Sequence, residues 1–126
     1  IVRRLVADLN IPVAIAGCPT LRAADGLAMS SRNARLTDAA RAVAPALYRA
    51  LCAARDAVGR GEAVAVVLGS ARRAICEAGF ASIDYLDLCD AETLTQLDTR
   101  PKRPARLLAA AWLGEVRLID NIAVTG

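Results

Sequence analysis

Histidine is absent from the 126-residue sequence. Without an imidazole, this chain by itself cannot form a Ser-His-Asp or Cys-His nucleophilic system, and the common zinc-binding spacings are excluded as well. Its four cysteines, Cys18, Cys52, Cys76 and Cys89, are far apart and form no C-x-x-C pair. That usage predicts a reduced, cytoplasmic protein with small apolar thiols, and it argues against a disulfide framework or a metal site.

The sequence also has few aromatic residues and no long apolar run. Aromatics make up 3% of the chain and hydrophobic residues 56%, so the core must consist mainly of Ala, Val, Leu and Ile. No segment approaches the roughly 18 apolar residues that a membrane span requires. The net charge of +3 comes from scattered residues of both signs, which does not indicate a nucleic-acid surface. We therefore expect a soluble globular chain with neither a nucleic acid nor a membrane as partner.

The first 20 residues show a helix followed by an apolar strand. Apolar residues fall on one face of a helix over residues 1–9, which must end before Pro12. Residues 12–17 form a short apolar run that is typical of a strand covered on both faces. A helix leading into a buried strand is typical of a parallel α/β sheet. Because this strand would lack its neighbours, we expect it to be disordered, repacked or paired with a second copy.

From residue 21 onward the periodicity predicts a separate domain. Residues 17–36 are predicted to form a loop, after which Thr37 begins a helix that Pro45 bends or divides and Gly59 ends. The remaining predicted elements are a helix over 62–78, a strand over 82–89, a connection over 90–103 with a helical turn near 91–96, and a hairpin formed by 106–113 and 116–119. This order predicts an α+β domain over residues 21–126, with two main helices on a three-stranded, mostly antiparallel sheet.

Two pairs of carboxylates lie close together in the sequence, Asp84 with Asp87 and Asp90 with Glu92. In a strand, residues three apart point to opposite faces, so Asp84 and Asp87 cannot act on one substrate atom. Phosphate-binding glycine motifs of the G-x-x-x-x-G-K-[ST] and G-x-G-x-x-G types are also absent. General acid/base catalysis by these carboxylates is therefore not expected.

The segment DGLAMSSRN, residues 25–33, gathers two hydroxyls, a guanidinium and an amide within a loop. Such a cluster of donors suits phosphate oxygens, which arginine can bind through two parallel hydrogen bonds. The alternative is an ordinary polar turn, in which Ser and Asn side chains satisfy local backbone groups and Arg32 is solvated. Composition alone favours this alternative.

Several motifs, taken in order, resemble the family of pantothenate synthetases, the ligases that join pantoate to β-alanine. They lie at residues 1–9, 17–22 and 25–37, and in the pair Ala-Trp-Leu-Gly at 111–114 and Arg-Leu-Ile-Asp-Asn at 117–121. The DGLAMSSRN block is the most specific of them. The resemblance extends from residue 2 to residue 122.

The resemblance implies an ATP-dependent reaction through an adenylate. Pantoate and ATP would form pantoyl adenylate and pyrophosphate, and β-alanine would then release pantothenate and AMP. The backbone at Leu21 and around Met29 would contact the nucleoside, while Ser30, Ser31 and Arg32 would bind the triphosphate and stabilise departing pyrophosphate. In this interpretation Leu27, Ala28 and Met29 form the half of the loop that is anchored to the domain. Mg²⁺ would accompany ATP without a ligand among these residues.

Other family motifs do not occur in the chain. The family's His-x-Gly-His motif, its pantoate-binding glutamines and its Gly-x-Lys-Asp segment precede the part that matches. The resemblance therefore implies a C-terminal portion that is inactive alone, with residues 1–20 ending a Rossmann-like nucleotidyltransferase domain through which family members form homodimers. Two alternatives remain open: a non-catalytic α+β interaction domain, and another nucleotidyltransferase with a similar loop.

Overall fold

The computed structural model describes residues 1–125, so Gly126, the last residue of the predicted second domain, lies outside the described part. The α-helices are α1 (Val2–Asp8), α2 (Asp38–Val43), α3 (Ala46–Gly59) and α4 (Val64–Glu77). A 3₁₀ helix covers Ser31–Arg35. The strands are β1 (Ser82–Asp90), β2 (Ala105–Leu113) and β3 (Val116–Val124). None of the helices within residues 1–125 combines the length and the apolar character needed to cross a membrane.

The three strands form an antiparallel sheet in the order β1-β2-β3. In the middle strand, Leu107 lies opposite Leu88 on one side and Ile122 on the other. Gly114 has a φ of 58° in the two-residue connection between β2 and β3, a conformation that suits tight hairpin loops. The three strands predicted from residue 82 onward and their hairpin are thus confirmed, although β3 extends to Val124, beyond the predicted end at residue 119, and the sheet is antiparallel throughout.

Alternating residues of the sheet face the helices. In β3 the alternation places Val116, Leu118, Ile122 and Val124 in the core, where they are buried with their β2 partners. Helices α3 and α4 pack on each other and on this face of the sheet. Their buried sides repeat at helical spacing, as predicted, and alanines in β2 permit close packing. The α+β class predicted from the sequence is therefore confirmed.

The helix boundaries follow the local chemistry of the sequence. The Thr37 hydroxyl accepts a hydrogen bond from the N–H of Ala40 at 3.2 Å and caps α2. Pro45 divides the predicted long helix into α2 and α3, because its ring removes one backbone donor and crowds the preceding turn. Gly79, with a φ of 113°, follows the end of α4. All three boundaries agree with the predictions.

The predicted strand over residues 12–17 is not formed. Helix α1 ends at Asp8, before Pro12 as expected, and Asn10 follows it with a left-handed φ of 49°. Residues 11–20 then form no ladder. Ile11, Val13 and Ile15 line an open groove with α1, in which Val13 is exposed and Ile15 half-buried. A strand needs a partner for its backbone groups, and within residues 1–125 none lies beside this segment. The preceding Rossmann-like domain thus remains a prediction.

The connection from β1 to β2 contains a single turn and no helix. Asp90 accepts the N–H of Leu94 at its carbonyl oxygen, and the chain then returns beside β1 through a bridge between Cys89 and Gln96. The carboxylate of Asp90 accepts the N–H groups of Glu92 and Thr93. The i,i+4 hydrogen bond from Leu94 to Asp90 makes this a single α-turn near the position of the predicted helical turn, and the left-handed φ of Leu94, 61°, prevents its continuation as a helix.

Candidate functional site

Residues 21–29, which include the first five residues of the DGLAMSSRN motif, form a closed loop with paired ends. The N–H of Met29 donates to the carbonyl of Leu21, and the N–H of Ala23 donates to the carbonyl of Leu27, both at 2.9 Å. An isolated antiparallel bridge joins residues 22 and 28. The backbone of the motif is therefore fixed by its own hydrogen bonds before the donor cluster begins.

The turn of this loop depends on Asp25 and Gly26. One Asp25 carboxylate oxygen accepts the N–H of Leu27 at 3.2 Å, and the other accepts from Arg41 of α2 at 2.6 Å. The hydrogen bond from Arg41 and that from Leu27 lower the pKa of the Asp25 carboxyl below its usual value. Gly26 has a φ of 94°, which few other residues tolerate. A Cβ at Gly26 would lie 2.4 Å from Cδ1 of Tyr48.

A buried ion pair lies beneath the loop. The guanidinium of Arg22 donates to both carboxylate oxygens of Asp120 in β3, at 2.6 and 2.8 Å. It also donates to the carbonyl of Gly26 at 3.0 Å, and its Cζ lies 3.9 Å from the ring centroid of Tyr48. The hydrogen bond to Asp120 raises the pKa of Arg22 above its usual value. The pair thus joins the start of the loop to the middle of the edge strand.

The second half of the motif forms the 3₁₀ helix Ser31–Arg35, which packs against β3. The Ser30 hydroxyl accepts the N–H of Arg32 at 3.2 Å and caps this helix. The amide of Asn33 donates to the carbonyl of Ala28 at 3.0 Å, which holds the helix against the closed loop. Ser30 and Asn33 therefore perform the local roles that the polar-turn interpretation requires.

Ser31 and Arg32 have no such local role. Both side chains are exposed, and neither makes a side-chain hydrogen bond or an ion pair with any part of residues 1–125. Ser30 and Arg32 line a cavity of about 50 Å³ between the loop, α3 and β3, together with Asn33 and Tyr48. A hydroxyl and a guanidinium on a fixed base can together bind phosphate oxygens.

The two residues predicted to contact a nucleoside lie side by side. Leu21 and Met29 are 73% and 60% exposed, and the hydrogen bond between their backbones places them next to each other. Leu27 is buried and Ala28 half-buried, as expected for the anchored half of the loop. The Met29 side chain is not packed against the domain, because only its backbone is held. Exposed apolar side chains of this kind can cover the face of a purine ring.

Three of the four carboxylates considered in the sequence analysis make other contacts: Asp84 and Asp90, described next, and Asp87, which lies 3.9 Å from Arg72. Asp84, at a bulge in β1, accepts from Trp112 Nε1 and from Arg117, whose hydrogen bond lowers the pKa of its carboxyl. Asp90 is held by backbone N–H groups, as described above. Between residues 1 and 125, no three His, Cys or carboxylate side chains gather where a metal ion could bind. These carboxylates stabilise turns and pairs.

Arg22, Tyr48 and Asp120 had no role predicted from the sequence. The position of Asp120 could have indicated a buried partner, because it faces the core in the alternating pattern of β3, where an isolated charge would be costly. The predicted strand stopped at residue 119, so this position was not seen as part of a strand. Its partner lies 98 residues earlier in the chain, and sequence spacing does not reveal such a pair.

The fold and the loop define a small α+β domain, with helices on one face of an antiparallel sheet and an exposed cluster of donors beside its edge strand. Among known proteins, the model of the pantoate–β-alanine ligase family matches residues 1–123. The chain therefore belongs to the pantoate–β-alanine ligase family, and the resemblance seen in its motifs is confirmed.

Individual relatives support this assignment. The pantothenate synthetase of Cereibacter sphaeroides is 57% identical over 124 residues, which are 98% of this chain and 44% of the relative. The crystal structure of pantothenate synthetase from Thermus thermophilus has a TM-score of 0.91 at 43% identity, covering 99% of this chain and 45% of that one. The chain thus spans less than half the length of these relatives, which agrees with the prediction that it is a C-terminal portion.

A third relative was crystallised with ligands. The pantoate–β-alanine ligase of Francisella tularensis, in complex with beta-gamma ATP and β-alanine, has a TM-score of 0.63 and 28% identity. The match covers 96% of this chain and 37% of the Francisella tularensis protein.

Proposed function

We propose that this chain is the C-terminal part of an ATP-dependent pantoate–β-alanine ligase and that its loop binds the triphosphate of ATP. In the first step, a pantoate carboxylate oxygen attacks the α-phosphorus and displaces pyrophosphate, which gives pantoyl adenylate. In the second, the β-alanine amine attacks the acyl carbon, displaces AMP and loses a proton. Membership of the ligase family and the ligands named for the Francisella tularensis protein support this proposal.

The observation that carries the proposal is the pair of unpartnered donors at Ser31 and Arg32. Ser30, Ser31 and Arg32 follow directly on the closed loop, so their positions are set by a rigid base. Arg32 would neutralise charge that develops on pyrophosphate as it leaves, and the hydroxyls would donate to its oxygens. Leu21 and Met29, adjacent and exposed, would contact the nucleoside. Mg²⁺ would arrive with ATP, held by its phosphates.

The full-length protein with the substitution Arg32→Ala tests this role. In assays with ATP, Mg²⁺, pantoate and β-alanine, we expect kcat/KM for ATP, followed by AMP release, to fall about 100-fold. Arg35→Ala is the matched control, since it removes the same charge from the same 3₁₀ helix. It should change kcat/KM less than about threefold, because long-range charge effects are screened at moderate salt.

Four results would contradict the proposal in different ways. Equal losses in both arginine variants would mean that general positive charge, and no specific contact, supports the reaction. Unchanged turnover in Arg32→Ala would remove its assigned role. Adenylation of another acid in preference to pantoate would favour a different nucleotidyltransferase, and failure of the full-length protein to turn over any acid would favour a non-catalytic interaction domain.

A further inference from the structure

Arg22 and Asp120 form an ion pair that is largely buried within this small domain. Their side chains are only 16% and 4% exposed. Burying two charges requires a large desolvation free energy, and well-packed apolar residues often stabilise such a position as well or better. Stability alone therefore does not account for the pair, and its other contacts indicate a more specific role.

The other contacts of Arg22 connect the ion pair to the closed loop of residues 21–29. The Nη1 atom of Arg22 donates both to Asp120 and to the carbonyl of Gly26, while Nη2 donates to Asp120 and, at 3.4 Å, to the carbonyl of Asn121. The ring of Tyr48 covers one face of the guanidinium and also closes the space next to Gly26. The planar group is therefore held by β3 and α3, and it holds the turn of the loop in its place.

We propose that Arg22 is a positioning residue for the triphosphate loop, with Asp120 as its anchor in β3. By holding the carbonyl of Gly26, it fixes the closed loop from which residues 30–32 project, and it contacts no substrate itself. Lysine cannot replace it, because an ammonium lacks the planar fork that bonds both carboxylate oxygens and the carbonyl together. This inference rests on the proposed function, since it assigns the loop its role toward ATP.

The test uses the full-length protein with Arg22→Lys and, separately, Asp120→Asn. We expect KM for ATP to rise about tenfold or more in each, while KM for β-alanine, which enters after pyrophosphate has left, stays within twofold. Amide hydrogen exchange should accelerate at least tenfold at residues 26, 27 and 29, whose N–H groups close the loop. Amides of α4 should exchange as in the wild type.

Arg106→Lys is the matched control. Arg106 donates to the side-chain oxygen of Asn121 through Nε and Nη2, at 2.9 and 2.6 Å, so this variant also breaks a double arginine contact between β2 and β3. It does not reach the loop. We expect its KM for ATP and its exchange at residues 26–29 to match the wild type, even where its thermal midpoint falls as far as that of Arg22→Lys.

The possible outcomes separate this inference from the proposed function. Variants at residues 22 and 120 that lower the thermal midpoint but leave both loop exchange and KM for ATP unchanged would overturn the positioning role. If Arg22→Lys fails to fold, Asp120→Asn, which keeps the side-chain volume, tests the positioning role in its place. A wild-type protein without ligase activity would overturn the role toward ATP together with the proposed function, whereas loop exchange reports on the anchor alone.

Discussion

At the scale of single residues, Gly26 carries the strictest steric requirement of the loop. Its φ of 94° is unfavourable for alanine, whose Cβ would in addition lie within 3 Å of two Tyr48 ring atoms, 2.4 Å from Cδ1 and 2.9 Å from Cε1. We expect Gly26→Ala to lower the free energy of unfolding by about 2 kcal/mol or more, from backbone strain and overpacking combined. Urea denaturation of this chain measures the change.

Gly69 provides the control for that substitution. It lies within α4, and a Cβ there would meet nothing within 4 Å. Gly69→Ala should therefore raise the free energy of unfolding by roughly 0.5–1 kcal/mol, since alanine loses less backbone entropy on entering a helix. Similar effects at the two positions would show that the contact with Tyr48 does not constrain the loop.

Residues differ in how far the sequence alone predicts their roles. Thr37 and Pro45 act on backbone groups within four residues, so their effects on α2 and α3 were predicted correctly. Arg22 and Asp120 act across 98 residues, and only the fold brings them together. Met29 shows a third case: its backbone is anchored as expected, but sequence patterns do not reveal that its side chain is exposed.

At the scale of elements, the turn after β1 makes a testable contribution to acid stability. The backbone N–H groups of Thr93 and Glu92 lower the pKa of the Asp90 carboxyl, and Arg103 adds a smaller effect. A carboxyl with a lower pKa in the folded state stabilises the fold above its unfolded pKa of about 4, and this stabilisation is lost as the pH falls through the folded pKa. We expect Asp90→Asn to lose less stability than the wild type between about pH 5 and pH 3.

The comparison is made by urea denaturation at each pH. Asp98→Asn is the control, because Asp98 is exposed and makes no side-chain hydrogen bond or ion pair within the described chain. Its stability should follow that of the wild type across the interval. Parallel curves for the Asp90 variant and the wild type would mean that the turn does not depend on the charge of Asp90.

Elements with local signals were predicted well, and the one that depends on distant partners was not. The hairpin of β2 and β3 has a two-residue glycine connection and alternating apolar residues, both visible in the sequence. The strand expected over residues 12–17 has a suitable composition, but a strand forms only where a neighbour accepts its hydrogen bonds. Composition predicts the tendency to form a strand, and the rest of the fold decides whether it does.

At the scale of the whole molecule, the described chain offers groups for only part of the proposed reaction. In the proposed function, the exposed Ser31 and Arg32 would supply donors for a triphosphate, and the exposed Leu21 and Met29 would contact a nucleoside. No histidine is present in the sequence, and the carboxylates of Asp84 and Asp90 are engaged in a pair and a turn. The chain spans 44% of the Cereibacter sphaeroides relative, and under the proposed function we expect the pantoate and β-alanine sites to lie in other parts of the full-length protein.

We therefore expect the 126-residue chain alone to release AMP from ATP, pantoate and β-alanine at least about a thousandfold more slowly than the full-length protein. Stabilisation of the leaving group contributes little unless the attacking carboxylate is held in line with the α-phosphorus, and that alignment supplies a large share of the rate. Equal concentrations of the two proteins are assayed side by side, with omission of pantoate as the blank. AMP release by the chain that depends on pantoate and β-alanine, at a rate near that of the full-length protein, would contradict this expectation and place the whole reaction within these residues.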